Sequence, residues 1–382
     1  MLGANSFQTR EASMAKAGFK LLDSDMHIIE PADLWERYID PAFRAQAPRG
    51  WPGPENPSVL EVAGKVMPRI AATPQAHYQT MYKRKEGRYR HAIERGYDPH
   101  SQLEAMDVEG IDVAVLFPTR GLYALATDDL APDLAAAIAR AYNDWLADFC
   151  APDPTRLIGA AMVAPHNVDA AVAETRRMAQ RGFRAIFMRP NVVHGRNWHD
   201  PHYDPLWAEA ERLGVAVCFH EGGLVYLPQT GARFPQVMLH HTCTHPMEMM
   251  QATVDFIGGG VLARFPTLRV GFLEGNCSWV PFLLWRLDEH YEWRREWDAP
   301  GFTMTPTEYF KRQCFVSVDC DEEPAKYTVD WIGEGNIVFS TDYPHADAKY
   351  PEASERFLKL PLSDSAKRRI MWDNCARLYG LA

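Results

Sequence analysis

Eight short apolar runs recur along this chain of 382 residues, and stretches with helical periodicity separate most of them. Apolar runs without alternation are typical of strands that are buried on both faces, and intervening helices allow such strands to pair in parallel. No Gly-x-Gly-x-x-Gly sequence follows the first run, although an open, doubly wound nucleotide-binding sheet would place one there. The pattern therefore predicts the α/β class and a (β/α)8 (TIM) barrel. The eight predicted strands lie at about 20–27, 113–117, 157–163, 185–188, 215–220, 268–273, 315–318 and 337–340.

Two long insertions interrupt the alternation of strands and helices. The first, at about 30–112, is rich in Pro, Gly, Arg and Tyr and is too long for a simple connection, so we expect a cap over the barrel mouth. The second, at 221–265, contains a cluster of histidines. We assign residues 20–382 to the barrel with its cap and residues 1–19 to an N-terminal tail. Predicted helices lie at about 131–150, 168–181, 205–213, 246–257 and 279–297.

The ends of three predicted strands carry side chains that bind divalent metals. Alternation along an extended backbone places Asp25 and His27 on the same face of the first strand. His220 ends the fifth strand, and Asp342 follows the eighth. Since the carboxyl ends of barrel strands open into one mouth, we expect these four side chains to hold one ion. Mixed nitrogen and oxygen ligands that leave positions open for water or substrate are typical of a catalytic site.

Charge and composition exclude several classes of function. The formal net charge is −10, and no Lys/Arg-rich run has interleaved aromatic residues, so a nucleic-acid partner is not expected. We expect no membrane span, because no apolar stretch approaches the required length, and no signal peptide, because the first residues lack an apolar core. The seven cysteines form no Cys-x-x-Cys pair. These features predict a cytoplasmic protein with reduced thiols that acts on a small molecule.

Four motifs carry a resemblance to a known family. They are Asp-Ser-Asp-Met-His-Ile-Ile-Glu-Pro at 23–31, His-Glu-Gly-Gly at 220–223, Arg-Phe-Pro-x-Leu-Arg-Val at 264–270 and Ser-Thr-Asp-Tyr-Pro-His at 340–345. Together they resemble the second amidohydrolase family, the branch of the amidohydrolase superfamily that contains aminocarboxymuconate-semialdehyde, γ-resorcylate and 5-carboxyvanillate decarboxylases. The resemblance extends from about residue 21 to the C-terminus. It implies a (β/α)8 barrel with one divalent metal at its mouth, usually Zn²⁺ or Mn²⁺; Fe²⁺ is a further candidate.

The resemblance also assigns roles to the strand-end residues. The family has His-x-His or Glu-x-His on the first strand, where this chain has Asp25-x-His27. His220 matches the metal histidine of strand five, and Asp342 matches a carboxylate that ligates the metal or handles a proton. On strand six the decarboxylases generally carry a histidine, whereas this chain has Glu274. We expect this partly desolvated carboxyl group to have a raised pKa, unless a metal or an arginine offsets it, and to donate a proton.

Further candidates for catalysis and substrate binding stand near the predicted strand ends. His241 is an alternative proton carrier, and for His241 and His245 together we favour substrate contact over a second metal site. Arg189 follows strand four and offers a guanidinium group that pairs well with a carboxylate. Phe117 and Trp279 lie near strand ends and offer rings that stack on an aromatic substrate.

A homodimer is expected from the aromatic residues of the predicted helix at 279–297 and from the family's habit of pairing barrels at the mouth. Arg286, on the same helix, resembles an arginine of the resorcylate-type enzymes that engages the substrate carboxylate, sometimes near a dimer interface.

The predicted metal site supports two main reactions. In nonoxidative decarboxylation the metal holds the substrate's carboxylate and adjacent hydroxyl, an acid protonates the ring carbon, and CO₂ departs. In hydrolysis a metal-activated water attacks a carbonyl while Asp342 takes its proton. We favour decarboxylation of a small hydroxylated aromatic or unsaturated acid over hydrolysis of an amide, ester or lactone. Hydration or cyclisation of an unsaturated compound is a third alternative, and a metal-free scaffold is a fourth.

Overall fold

The computed structural model describes residues 16–52, 56–69 and 86–381. Eight parallel strands form one sheet, in which each strand pairs with the next one along the chain. Helices lie between successive strands, so the predicted (β/α)8 barrel is confirmed. The barrel strands are Leu22–His27, Val113–Phe117, Leu157–Met162, Ala185–Met188, Ala216–Phe219, Val270–Phe272, Cys314–Val318 and Ile337–Phe339.

The first and eighth strands meet through side-chain hydrogen bonds. Ser24 Oγ donates to the carbonyl oxygen of Phe339 at 2.6 Å, and Thr341 Oγ1 donates to the carboxylate of Asp23. All of these groups are buried, so the bonds satisfy polar atoms that water does not reach. They also bring the segment that follows the eighth strand next to His27.

The barrel helices begin and end close to the predicted positions. Helix Pro132–Cys150 has proline in its first turn. Backbone N–H groups in the first turn have no acceptor within the helix, so proline costs no hydrogen bond there. Helix Asp204–Leu213 ends at Gly214, whose φ of 64° is left-handed and suits glycine. None of the helices in the described ranges is long and apolar enough to cross a membrane. The helices are Leu34–Tyr38, Glu86–Glu94, Pro99–Glu109, Pro132–Cys150, Val168–Gln180, Asp204–Leu213, Val237–Thr253, Val261–Arg264, Val280–Asp298, Pro306–Gln313, Ala325–Ile332, Ala353–Leu358, Asp364–Arg368 and Asn374–Tyr379.

The helix predicted at 246–257 begins earlier, at Val237; its α-helical part ends at Thr253, and a π-helical turn, Val254–Gly258, continues it to the predicted end. Pro246 lies inside it, although proline usually ends a helix because it lacks an N–H. The carbonyl that loses its helical partner belongs to Thr242, which is exposed and therefore open to water. We call Val237–Thr253 the mouth helix. Because the helix begins at Val237, the histidine cluster lies within it and not in a loop.

The first insertion packs against segments that follow the barrel strands. It contains a three-stranded antiparallel sheet of Arg49–Gly50, Leu60–Val62 and Lys65–Met67. The N–H of Arg69 donates to the carbonyl of Leu224 in the second insertion at 2.8 Å. Its assignment as a cap stays a prediction, and part of it, 70–85, lies outside the described residues. The same holds for residues 1–15 of the predicted tail.

The core fills the barrel and the layer between strands and helices. Phe219 and Phe272, on the fifth and sixth strands, stack with ring centroids 5.8 Å apart, and both are fully buried. All seven cysteines are unpaired, as the sequence predicts, and only Cys243 is more than slightly accessible. The interior below the mouth is therefore apolar, and the polar groups described next lie at its upper end.

Candidate metal centre

The two histidines predicted as metal ligands meet at the mouth of the barrel. His27 Nε2 and His220 Nε2 lie 3.0 Å apart, and both residues are fully buried. Nδ1 of His27 donates to the carbonyl of Pro118 at 2.7 Å, and Nδ1 of His220 donates to the carbonyl of Glu221 at 3.1 Å. Because a carbonyl oxygen only accepts, each Nδ1 carries a hydrogen and each neutral ring presents its Nε2 lone pair. Two lone pairs at this distance repel unless a proton or a metal cation lies between them.

The surrounding charges favour a cation at this point. Burial by itself lowers the pKa of His220, but the carboxylates of Asp25 and Glu274 outweigh burial and raise that pKa to about 10. Burial and the neighbouring His345 hold the pKa of His27 well below its usual range. His220 therefore carries a second proton, on Nε2, and His27 does not. Since ligating imidazoles must be neutral, a metal bound here would replace that proton.

Three carboxylates surround the same point. Asp25 Oδ1 lies 3.4 Å from His220 Nε2 and 3.6 Å from His27 Nε2. Glu274 Oε2 lies 2.9 Å from His220 Nε2, and Asp342 Oδ1 lies 3.5 Å from His27 Nε2. Among the described residues, neither oxygen of Asp25 has a hydrogen-bond partner, whereas Glu274 Oε2 and Asp342 Oδ1 each face an imidazole nitrogen. Buried carboxylate oxygens without donors are costly unless a cation pairs with them.

These spacings fit a single divalent ion. Two ligand atoms at about 2.1 Å from an ion, at right angles to each other, are separated by about 3.0 Å. Asp25, His27 and His220 form one group with ligand atoms within 4.8 Å of one another, and His27, Glu274, Asp342 and His345 form a second. The bonds from Nδ1 to backbone carbonyls are also the contacts that orient imidazoles at metal sites. The side chains present therefore fit the metal that the sequence implies.

Glu274 and Asp342 share an unusual backbone conformation. Their φ angles are 47° and 57°, in the left-handed region that residues other than glycine rarely adopt. Such outliers concentrate at functional sites, where the surrounding structure holds them. Here the conformation occurs just after the sixth and eighth strands and directs both carboxylates toward the two imidazoles.

His345 belongs to the cluster, although sequence reasoning gave it no role. Its Nδ1 lies 2.7 Å from Asp342 Oδ1, its Nε2 lies 3.0 Å from Thr119 Oγ1, and its ring stacks on His27 with centroids 3.9 Å apart. Burial lowers the pKa of His345, but Asp342 and Glu274 outweigh burial and raise it well above its usual range. Burial raises the pKa of Asp342 well above its usual range. Asp342 and His345 therefore share a proton. His345 lies three residues after Asp342 in the motif Ser-Thr-Asp-Tyr-Pro-His, and this position is the sequence feature from which its role could have been predicted.

Glu274 lies at the end of strand six as expected, but the expected rise in its pKa does not occur. Burial raises the pKa of Glu274, yet the imidazoles of His245 and His220 outweigh burial and hold it well below its usual range. His245 Nε2 lies 3.5 Å from Glu274 Oε1. The offset expected from a metal or an arginine comes from histidines instead. An anionic group at this position suits a cation ligand better than a proton donor.

His241 and His245 lie one turn apart on the mouth helix, above Glu274. Their rings stack with centroids 4.1 Å apart. His245 is buried and His241 is exposed. Both line the same cavity as Glu274 and Asp342. Their predicted contact with substrate stays a prediction.

The other predicted substrate contacts lie away from the cavity within one chain. The Phe117 ring is fully buried below the site, 5.7 Å from the His220 ring, so it packs in the core and is not open to a substrate. Trp279 is buried as well, and its Nε1 donates to the carbonyl of Gly275 at 2.7 Å. Arg189 is already engaged, because it donates to Asp128 at 2.7 Å and to Leu125. Arg286 is half-exposed on the outer surface, 3.8 Å from Glu289.

The cluster opens into a cavity of about 350 Å³. A smaller adjoining cavity shares Glu274 with it and is lined by Ser58 and Pro68 of the first insertion. A larger cleft of about 1000 Å³, near Asn191 and Phe302, shares no residue with the cluster. The chemistry therefore lies at the cavity of about 350 Å³. Its charged and titratable lining consists of His241, His245, Glu274, Asp319, Asp321, Asp342, Asp347 and Lys349.

Arg69 is a second residue that the sequence analysis missed. It follows the antiparallel sheet of the first insertion, and its Nε is buried with no hydrogen-bond partner among the residues described. Its neighbours Pro68 and Leu224 line the smaller cavity. Its positive charge also contributes, after burial, to lowering the pKa of His240, which lines the same cavity. Arg69 therefore provides a guanidinium group beside a site that is otherwise rich in carboxylates.

Comparisons with known proteins identify the family of this chain. The sequence profile described as amidohydrolase matches residues 23–381. A curated relative, 2-amino-3-carboxymuconate-6-semialdehyde decarboxylase of Dictyostelium discoideum, is 27% identical over 286 residues, which cover 75% of this chain and 77% of the relative. γ-Resorcylate decarboxylase of Rhodococcus jostii (strain RHA1) is 27% identical over 293 residues, which cover 73% and 87%. An amidohydrolase structure from Mycobacterium avium subsp. paratuberculosis K-10 superposes with a TM-score of 0.76 at 22% identity, covering 95% of this chain and 99% of that one.

Proposed function

This chain belongs to the amidohydrolase family, and from that membership and the metal centre we propose that it catalyses the metal-dependent, nonoxidative decarboxylation of a small hydroxylated aromatic or unsaturated acid. The facing Nε2 atoms of His27 and His220 are the observation that carries the proposal. The two curated relatives are named as decarboxylases, which supports this reaction over hydrolysis of an amide, ester or lactone. The unpaired cysteines support a cytoplasmic location.

Asp25, His27, His220 and Asp342 are the proposed ligands of one divalent ion, Zn²⁺ or Mn²⁺ before Fe²⁺. Imidazole and carboxylate donors suit all three metals. When bound, such an ion polarises the carboxylate and hydroxyl oxygens of a substrate. Burial at the mouth excludes water from three of these side chains, which strengthens every electrostatic interaction that they make.

The Asp342–His345 pair is the proposed proton donor. The two groups are 2.7 Å apart and line the cavities that adjoin the metal centre. In the reaction the pair gives its proton to the substrate carbon that bears the carboxylate. The bond between that carbon and the carboxylate then breaks, its electron pair stays with the carbon skeleton, and CO₂ leaves. No oxidant or reductant is consumed.

Arg69 is the proposed anchor for an acidic group of the substrate. The cavity carries several carboxylates and one lysine, Lys349, so an anionic substrate needs further positive charge. A guanidinium group binds carboxylates in a bidentate fashion. Arg189, which sequence analysis favoured for this role, is occupied by Asp128.

The proposed assembly is a homodimer formed through an aromatic face. Helices Val280–Asp298 and Ala325–Ile332 pack together and expose six aromatic side chains. Aromatic residues at this density suit an interface core. Arg286 lies on the same face, so any contact that it makes with substrate requires a second copy of the chain. The six residues are Phe282, Trp285, Trp293, Trp297, Tyr327 and Trp331.

A substrate panel tests the reaction. The protein is loaded with Zn²⁺ or Mn²⁺ and offered hydroxybenzoates labelled with ¹³C in the carboxylate, together with lactones, esters and amides. We expect ¹³CO₂ from at least one hydroxybenzoate and no acid release from the hydrolytic substrates. His220→Ala serves as the inactive control, and exposed His202→Ala as the matched active control. Acid release from a lactone or amide without ¹³CO₂ from any acid would identify a hydrolase instead.

A further inference from the structure

We propose that the mouth of the barrel holds a second divalent cation, bound by His241, His245 and Glu274. Glu274 would then bridge two ions, because its other oxygen faces the first centre. The inference rests on the metal centre of the proposed function and adds to it a site on the mouth helix. It changes the expected role of the two histidines from substrate contact to metal binding.

The two oxygens of Glu274 face different histidines. Oε2 lies 2.9 Å from His220 Nε2, while Oε1 lies 3.5 Å from His245 Nε2. A carboxylate that directs one oxygen to each of two imidazole groups has the arrangement of a bridging ligand. Ions in two-metal sites lie about 3.5–4 Å apart, a separation that one carboxylate spans.

The mouth helix supplies the other two ligands. His241 and His245 are four residues apart, so they lie on the same helix face, and this spacing allows one helix to give two imidazoles to one metal. The ligand atoms of His241, His245 and Glu274 all lie within 4.8 Å of one another. This group is distinct from the two groups that contain His27.

The histidines do not have the contacts of a purely structural pair. His245 is 7% exposed, yet its Nδ1 has no hydrogen-bond partner among the described residues, although a buried imidazole nitrogen without a partner is costly. By contrast, His240, on the same helix, uses both nitrogens: Nδ1 with the carbonyl of Gly231 and Nε2 with the N–H of Leu224. Nε2 of His245, which faces Glu274 Oε1, and the exposed ring of His241 are therefore available to an ion that enters from the cavity.

The ligand set indicates the class of cation. Two imidazoles and a carboxylate suit Zn²⁺, Co²⁺ or Mn²⁺ better than Mg²⁺ or Ca²⁺, which prefer oxygen ligands alone. The cavity beside the site carries Asp319 and Asp347 in addition to Glu274. A second cation would offset this negative charge and present a binding point for an acidic oxygen of the substrate.

Metal stoichiometry tests the proposal. The full-length protein is saturated with Zn²⁺, passed through a desalting column, and measured by plasma mass spectrometry; Co²⁺ loading followed by visible absorption gives a second readout. We expect two ions per chain in the wild type. We expect one in His241→Ala and in His245→Ala, and two in the matched control His100→Ala, since His100 is exposed and far along the chain. His241→Ala is the decisive variant because an exposed side chain is dispensable for folding.

The same measurement separates this inference from the proposed function. One ion in the wild type that disappears in His220→Ala would overturn the second site and leave the first intact. Two ions in the wild type that both persist in His241→Ala and His245→Ala would also overturn it. A wild type that binds no ion would overturn the second site and the proposed function together.

Discussion

His345 Nδ1 lies 2.7 Å from Asp342 Oδ1, and the His345 ring stacks on His27 with centroids 3.9 Å apart. The contact joins Asp342, which follows the eighth strand, to His345 in the same turn. That turn places the His345 ring against His27 of the first strand. A proton shared by this pair is therefore held beside the metal ligands, where a reacting carbon would lie.

The His345→Gln variant should lose activity and keep its metal. Glutamine can hydrogen-bond to Asp342 but cannot release a proton, and a positioned acid is typically worth about 100- to 10,000-fold in rate. We expect kcat to fall within that range while metal content and melting temperature stay close to wild type. His100→Gln is the control for an exposed histidine. A near-normal kcat would show that the proton comes from another group.

His220→Ala should abolish both metal binding and turnover. His220 directs its Nε2 toward His27, Asp25 and Glu274, so its removal opens the centre on the side of the fifth strand. At a free metal concentration about 1000 times Kd, binding stabilises a folded protein by about 4 kcal/mol, and this gain should vanish. Thermal unfolding with and without Zn²⁺ measures it, with His202→Ala as control. Full metal occupancy in His220→Ala would contradict the assignment.

The sequence was sufficient to predict the barrel and the clustering of the four strand-end side chains that we propose as metal ligands. Strand periodicity alone places Asp25 and His27 on one face, and parallel strands must open at one end, so His220 and Asp342 had to approach them. The predicted barrel holds in the structure, and the four side chains do meet. The barrel and the clustering of these side chains depend on local sequence patterns and on the topology of the fold. Both can be inferred from the order of the apolar runs along the chain.

The residues that sequence reasoning missed depend on packing between distant segments. His345 reaches His27 because the turn after Asp342 folds back, and Arg69 lies beside two residues of the smaller cavity, Pro68 and Leu224, because its backbone N–H bonds to Leu224. The length of the mouth helix was missed because proline normally ends a helix. The histidines that lower the pKa of Glu274 were not predicted because the three imidazoles that face it come from three separate segments of the chain.

Arg69→Ala should weaken substrate binding without loss of metal. Hydrogen bonds to a charged group contribute about 1.5–3 kcal/mol, which corresponds to an increase in KM of about 10- to 100-fold for an acidic substrate. Arg69→Lys should fall between wild type and Arg69→Ala, because the ammonium keeps the charge but not the bidentate geometry. Arg37→Ala is the matched control, since Arg37 is exposed, forms an ion pair with Asp33 at 3.7 Å and lies over the Tyr38 ring. An unchanged KM in Arg69→Ala would place the anchor elsewhere.

His166 should make the fold sensitive to mild acid. Burial and the charge of Arg189 lower the pKa of His166 to about 4, while Nε2 donates to the carbonyl of Thr127 at 3.1 Å. The unfolded chain therefore binds more protons between pH 6.5 and 4, and the free energy of unfolding falls as pH falls through this window. The contribution is about 1–3 kcal/mol. Urea unfolding measures the free energy of unfolding at pH 7 and at pH 4.5. The difference between these two free energies should be smaller in His166→Gln than in wild type, and an equal difference would contradict this prediction.

The exposed aromatic face should hold two copies of the chain together. Trp293 and Trp297 are 68% and 66% exposed, and a second copy would bury both. We expect sedimentation velocity to show a dimer at micromolar concentration in the wild type and a monomer in Trp293→Asp, because a buried unpaired carboxylate at an interface is costly. Tyr226→Asp is the matched control, since Tyr226 is an exposed aromatic residue in a loop of the second insertion. If Arg286 serves the partner's cavity, Trp293→Asp should also raise KM while metal content stays unchanged. A wild-type monomer, or a Trp293→Asp dimer, would remove this face from consideration as the interface.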